Sequence, residues 1–233
     1  MVRRTKTEAL ETRSRLLDAA ERLFQAKGVS GTTLSDIATA AGATRGAVYH
    51  HFDDKADLFN AMMERVTMPL EATLAEVGRK AADQTDPLQS LRDSMAHALR
   101  QTAEDERTRR VFEVATHKVE YVDEMQAVRD RHLRVRNECM AMTHAALKES
   151  VKRQGVVLPM PLSTAALGLH VMVDGLIQNW LLDPGAFDLV RHGRQVMDAY
   201  LAGLGFSLRS APAPRPKAPA RATTAPGAAR PAP

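Results

Sequence analysis

The stretch "TLSDIATAAGATRGAVYHHF", Thr33 to Phe52, joins two short helical patterns through a glycine, and the second is too short and too polar to stand alone. Thr33 sits where an N-cap is wanted. Leu34, Ile37, Ala38 and Ala41 recur at spacings of three and four as one apolar face, and Gly42 takes the left-handed position that ends a helix. Thr44 can cap the next helix at once, so the turn is only a few residues long, which is helix-turn-helix spacing. In the second helix Ala47, Val48 and Phe52 can pack inward, leaving Arg45, Gly46, Tyr49 and His50 on other faces. Glycine near a helix start costs up to ~1 kcal/mol relative to alanine, and close approach of another surface explains it. Thr44 and Tyr49 can donate to phosphate oxygens, Arg45 to a phosphate or a guanine edge, and free N-terminal amides favour an anion. Lys55 follows the cap Asp54 in the first turn of the next helix, where the macrodipole disfavours a cation; a nearby phosphate compensates, as do Asp53 and Asp54. These features point to a helix placed in a DNA major groove. On spacing alone the alternative stays open that Thr44, Arg45 and Tyr49 form an ordinary solvated face.

Outward from this stretch the same period continues. A first helix is predicted from about Lys6 to Ala26, with Leu16, Ala20, Leu23 and Phe24 as its stripe, capping-box spacing at Thr5 and Glu8, and Gly28 as its stop. Strict alternation is nearly absent from the rest of the chain, so the fold class is all-α with about nine helices. Met125, Val128, His132, Val135, Cys139, Met142 and Ala146 step along one long helix, and Leu88, Leu91, Met95, Ala98 and Leu99 along another. Core packing is the expected role of both stripes. Leu162 to Leu182 is apolar nearly all round, which implies neighbours on two sides. Gly168, Met172, Gly175 and Asn179 share one face there, with Val190, Gly193, Met197, Leu201 and Leu204 at heptad-like spacing on the next helix. These two faces are expected to form an isologous dimer seam. Membrane insertion is the rival reading of this segment, and His170, Asp174, Gln178 and Asn179 in its middle argue against it.

Composition bounds the function. The 233 residues are 44% hydrophobic and 26% charged, enough for one large or two small cores. "MVRRTKTEAL" has basic residues but no apolar run behind them, so no secretory signal or anchor is readable, and the single Cys139 excludes an intramolecular disulfide framework; both fit the cytoplasm. The formal charge is +4, yet no acid follows Asp198, and Arg209, Arg215, Lys217, Arg221 and Arg230 carry five positive charges; without them the chain stands at −1. The Ala, Pro and Arg-rich segment 208–233 is expected to stay disordered. No HExxH, GxSxG, phosphate-binding loop or paired cysteine occurs, so no catalytic residue, metal site or cofactor is expected. His50 and His51 are neighbours on one helix and point in different directions, a poor arrangement for a metal. A helical hydrolase remains a remote alternative.

Asp174 lies mid-helix in a segment expected to be buried, on the face turned from the seam, so it must be ion-paired, neutral or facing a wet cavity. His170, Val173, Ile177 and Gln178 surround it at helical spacing and supply the mixed walls of a small-molecule pocket. A structural pair with Arg or His is the equal alternative.

The run "TRSRLLDAAERLFQAKGVSGTTLSDIATAAGATRGAVYHHFDDKADLFNAMMERV" resembles the N-terminal DNA-binding domain of the TetR/AcrR family of bacterial repressors. "MVRRTK", "GATRGAVYHHF" and "HVMVDGLIQNWLLDP" are similar to the branch that represses multidrug efflux pump operons. The resemblance implies a helix-turn-helix domain at 1–57, with DNA contacts at Thr33, Thr44, Arg45, Gly46, Tyr49, His50 and Lys55; Arg3, Arg4 and Lys6 can reach phosphate or the minor groove, with a frayed basic terminus as the alternative. It implies a helical effector-binding and dimerisation domain at 58–207. His50 departs from the Trp or Tyr common in the branch, which bears on the operator sequence. Val173, Asp174, Ile177 and Gln178 match residues that line the branch's cavity, and Phe112, Thr116 and Cys139 look equivalent to others across it. The implied protein is a homodimeric repressor of double-stranded operator DNA, released by a small hydrophobic or aromatic effector. Control of a different metabolic or stress operon is the alternative to efflux.

Overall fold

The computed structural model describes residues 6–67 and 86–208. Among them the chain forms nine α-helices and no strand: α1 Lys6–Lys27, α2 Leu34–Ala40, α3 Arg45–His51, α4 over 55–67, α5 Pro87–Glu104, α6 Glu106–His117, α7 Gln126–Gln154, α8 Leu162–Leu182 and α9 Leu189–Gly203. A single 3-10 turn, Asp123–Met125, precedes α7. The Thr5 cap, Arg3, Arg4 and the segment 209–233 lie outside the described residues.

Local chemistry sets the ends. Thr33 and Asp36 form a capping box, the Asp36 amide donating to Thr33 Oγ1 at 3.1 Å and the Thr33 amide to Asp36 Oδ2 at 2.9 Å. Thr44 Oγ1 accepts from the Ala47 amide at 3.2 Å and so starts α3. Gly42 closes the turn between them at φ 62°, a conformation that a side chain rarely adopts.

The first three helices share their core with α4 and α6. Leu16, Ala20, Phe24, Ile37, Val48 and Phe52 meet Leu58, Phe59 and Met62 of α4 and Val111 and Val114 of α6, all of them at most 2% exposed. Burying each of the larger ones contributes about 1.5–3 kcal/mol. Polar links add to this junction: Val29 N donates to Lys118 O at 2.9 Å and Gln25 Nε2 to Glu113 at 2.8 Å. Glu21, 1% exposed, is held by Arg65 of α4 at 3.1 Å and Arg107 of α6 at 3.4 Å, while Asp18 takes the same two arginines at 2.8 and 3.0 Å.

In the second half α5 packs against α6, α7 and α9, and α8 lies between α7 and α9. Here part of the expected dimer seam is corrected. A methyl group at Gly168 would collide with Tyr200 Oη, and one at Gly193 with Leu99 Cδ1, so both glycines serve helix contacts within the subunit. Met197, Leu201 and Leu204 are buried in that same core. On α8 and α9 the large apolar residues left outside are Leu167 (50% exposed), Val171 (55%), Leu182 and Val196. By length and composition α8 is apolar enough to cross a membrane. Its Ala165, Ala166 and Leu169 are instead fully enclosed by protein.

Candidate nucleic-acid interface and internal cavity

At the outer end of the first three helices, α3 turns Arg45, Gly46, Tyr49 and His50 to solvent, with Thr33 and Thr44 exposed beside them. Arg45 and Tyr49, one turn apart, act as a pair: Arg45 Nη2 donates to Tyr49 Oη at 3.3 Å and the guanidinium lies 5.6 Å from the ring centroid. A methyl group at Gly46 would meet only Thr44 Oγ1, at 3.9 Å, so no internal packing asks for glycine there. The open space lies outward, where a phosphate backbone would approach. Thr33 is more committed than the sequence implied. Its hydroxyl donates to Asp36 Oδ2 at 2.8 Å while accepting from the Asp36 amide, and the Thr33 backbone amide and then this hydroxyl, both donating to the carboxylate, hold the Asp36 carboxyl below its usual range. Lys55 is half-buried and pairs with Glu124 at 3.3 Å, so a carboxylate from the 3-10 turn before α7 offsets its place at a helix start. The rings of His50 and His51 meet edge-on with centroids 5.1 Å apart, closer than their divergent directions suggested.

The second feature is a cavity of about 740 Å³ among α4, α5, α6, α7 and α8. Seven of the eight sequence-derived effector residues line it: Phe112, Thr116, Cys139, His170, Val173, Asp174 and Ile177. Gln178 does not. Its Nε2 donates to Asp174 Oδ2 at 2.5 Å, and its backbone carbonyl faces His117 Nε2 at 3.0 Å, so the side chain positions the carboxylate from beside the cavity. Asp174 itself is exposed at the cavity's open side, which corrects the expectation that it is buried. A buried ion pair is therefore not required of it. Burial holds the His170 imidazole below its usual range, Asp174 opposes this, and Arg136 and His132 add to it.

The long stripe on α7 has a role other than core. Val128, His132, Val135, Cys139, Met142 and Ala146 face the cavity, as do Leu91, Met95 and Ala98 of α5. Cys139 is half-buried in that wall. The sequence missed the contribution of α4: Phe59, Asn60, Met63 and Thr67 form the wall nearest the reading helices. Arg131 of α7 ties it down, donating to Thr67 Oγ1 at 2.8 Å. The one signal in the sequence was a pair of polar residues, Asn60 and Thr67, on the otherwise apolar inner face of an amphipathic helix.

Comparison with known proteins joins the two features. Residues 16–62 match the profile of bacterial regulatory proteins of the tetR family, and residues 86–206 that of the C-terminal region of MAATS-type transcriptional repressors. The HTH-type transcriptional repressor BepR of Brucella suis biovar 1 (strain 1330) is 39% identical over 203 residues, spanning 87% of this chain and 96% of BepR. Native NalD, the secondary repressor of the MexAB-OprM multidrug efflux pump in Pseudomonas aeruginosa, superposes with a TM-score of 0.77 at 33% identity, over 84% of this chain and 98% of NalD. The complex of SmeT with triclosan gives 0.71 at 32% identity, over 88% and 99%; SmeT is the repressor of the Stenotrophomonas maltophilia multidrug efflux pump SmeDEF.

Proposed function

The chain belongs to the TetR family of bacterial regulatory proteins, and on that premise we propose that it represses a multidrug efflux operon and leaves its operator when a small hydrophobic compound fills the cavity. It is a DNA-binding transcriptional repressor and not an enzyme. Relatives whose names carry efflux control, and one bound to triclosan, support the choice of operon and of effector class. In this reading the protein works in the cytoplasm as a homodimer, residues 1–57 reading double-stranded DNA and 58–207 sensing the effector.

The observation that carries the mechanism is the shared use of α4. Its far side packs on the reading helices through Leu58 and Met62, and its near side, Asn60, Met63 and Thr67, lines the cavity. A ligand that displaces α4 therefore displaces α3, and in a dimer this alters the separation of two reading heads that must meet adjacent major grooves. Arg45, Tyr49, Thr44, Gly46 and His50 make the DNA contacts, with Thr33 and Lys55 at the margin.

Sequencing the DNA that the purified protein captures from its own genome tests the operon. Recovery of sites with no transporter gene beside them would reject efflux control. Titrating the captured operator complex with aromatic and cationic drugs tests the cavity, and Asp174→Asn is expected to shift the releasing concentration while the variant still binds operator. An identical release curve assigns Asp174 to structure.

A further inference from the structure

We propose that Asn60 is the acceptor through which α4 reads the effector, and that effectors of this protein carry a neutral hydrogen-bond donor, a phenolic or alcoholic hydroxyl, on an apolar frame. The inference rests on the cavity being the effector site. Asn60 lies in the cavity wall, and its Oδ1 is enclosed with no protein donor in reach among the described residues. The other end of the same amide is occupied: Nδ2 donates to the Ala127 carbonyl at 3.4 Å. That bond sets the orientation, because a flipped amide would turn two acceptors toward each other. Thr67, the other polar residue of α4 in this wall, already accepts from Arg131.

Enclosed acceptors without a donor are uncommon, and each weakens the arrangement that encloses it. Here the weakened arrangement is the position of α4 against α7. Because Oδ1 is enclosed, a ligand donor reaches it only when α4 or its surroundings give way. A donor-bearing effector thus binds the shifted state more tightly than the unshifted one, which is the difference in affinity that a switch requires. A hydrocarbon of the same shape has no such preference. An uncharged amide oxygen suits a neutral hydroxyl better than an ammonium ion, whose dehydration calls for a carboxylate.

Calorimetric titration of the full-length protein with two matched pairs reads this directly: triclosan against its methyl ether, and 1-naphthol against 1-methoxynaphthalene. Work at about pH 6 keeps the phenols protonated. Each phenol is expected to bind about tenfold more tightly than its ether, the worth of one ordinary hydrogen bond. In Asn60→Leu and Asn60→Ala that ratio is expected to collapse toward one, and either folded variant suffices because the ratio is internal to it. Equal affinity of phenol and ether for the parent protein overturns the inference and leaves the effector reading standing. So does a phenol preference that survives in a folded variant. Binding of none of the four compounds overturns the effector reading and this inference together.

Discussion

Arg45 and Tyr49 form one unit, and if they meet a groove together the guanidinium stacked on the phenol ring limits the rotamers that either side chain must give up on binding. Removing one partner frees the other. Arg45→Ala and Tyr49→Ala are each expected to weaken operator binding by about 1–3 kcal/mol, the value of a good base contact. The double variant should lose less than the sum, because the two residues share one interaction. Anisotropy of a labelled operator measures all three, and unchanged affinity in both single variants takes α3 out of the groove. This exposure was legible from helical spacing alone, because Ala47, Val48 and Phe52 leave α3 only one way to face. The cavity was legible differently. Phe112, Thr116 and Cys139 could be placed in it only by resemblance, since a wall that faces a void has the same apolar period as one that faces packed side chains. His132 and Val135 were read as core for that reason. Gln178 failed because a side chain one turn from Asp174 can as readily bond its neighbour as face the same space.

At the scale of elements, the junction of α1, α4 and α6 turns on Glu21, which closes on Arg65 and Arg107 with Arg110 at 3.9 Å. Burial raises the Glu21 carboxyl above its ordinary 4.5; Arg107 and Arg65 oppose that, Asp18 adds to it, and burial prevails. A carboxyl whose folded pKa is raised favours folding in its protonated form. Its contribution is fully present below about pH 4.5, the unfolded value, and is lost as pH rises through the folded value. Glu21→Gln keeps the shape and imitates the protonated form. Its Tm is therefore expected to exceed that of the parent at neutral pH, and the gap is expected to close below about pH 4.5. A variant less stable than the parent at neutral pH would show that the three arginines outweigh burial. None of this was readable beforehand, because Arg65, Arg107 and Arg110 lie far along the chain and a Glu in an amphipathic helix usually faces water. The α8 and α9 seam shows a related limit: Gly193, Met197, Leu201 and Leu204 keep a period that suits a partner helix within the subunit as well as one across a dimer. Only the fill around Gly168 and Gly193 separates the two cases.

At the scale of the whole molecule, dimerisation is expected to use uncovered apolar residues of the last two helices, among them Leu167 and Val171 on α8 and Val196 on α9. Charges at two of these positions, Leu167→Glu with Val171→Glu, are expected to give a folded monomer by light scattering and to abolish tight operator binding, because one reading head holds only half a site. A dimer that persists moves the interface elsewhere. A separate contribution is expected of the basic segment beyond Leu208. It holds five positive charges and no acid, on a chain that is otherwise near neutral, and offers almost no large apolar side chain for a core. Truncation after Leu208 is therefore expected to leave folding and dimerisation intact while lowering non-specific DNA affinity. If all five cations touch phosphates, the slope of log affinity against log salt should flatten by at most about 4.5 per subunit, and by less if only some engage. Binding of the intact and truncated proteins to a non-operator duplex across a salt series measures that slope. Equal slopes would free the segment of any part in DNA binding, whereas loss of the dimer on truncation would place the end of the folded body beyond Leu208.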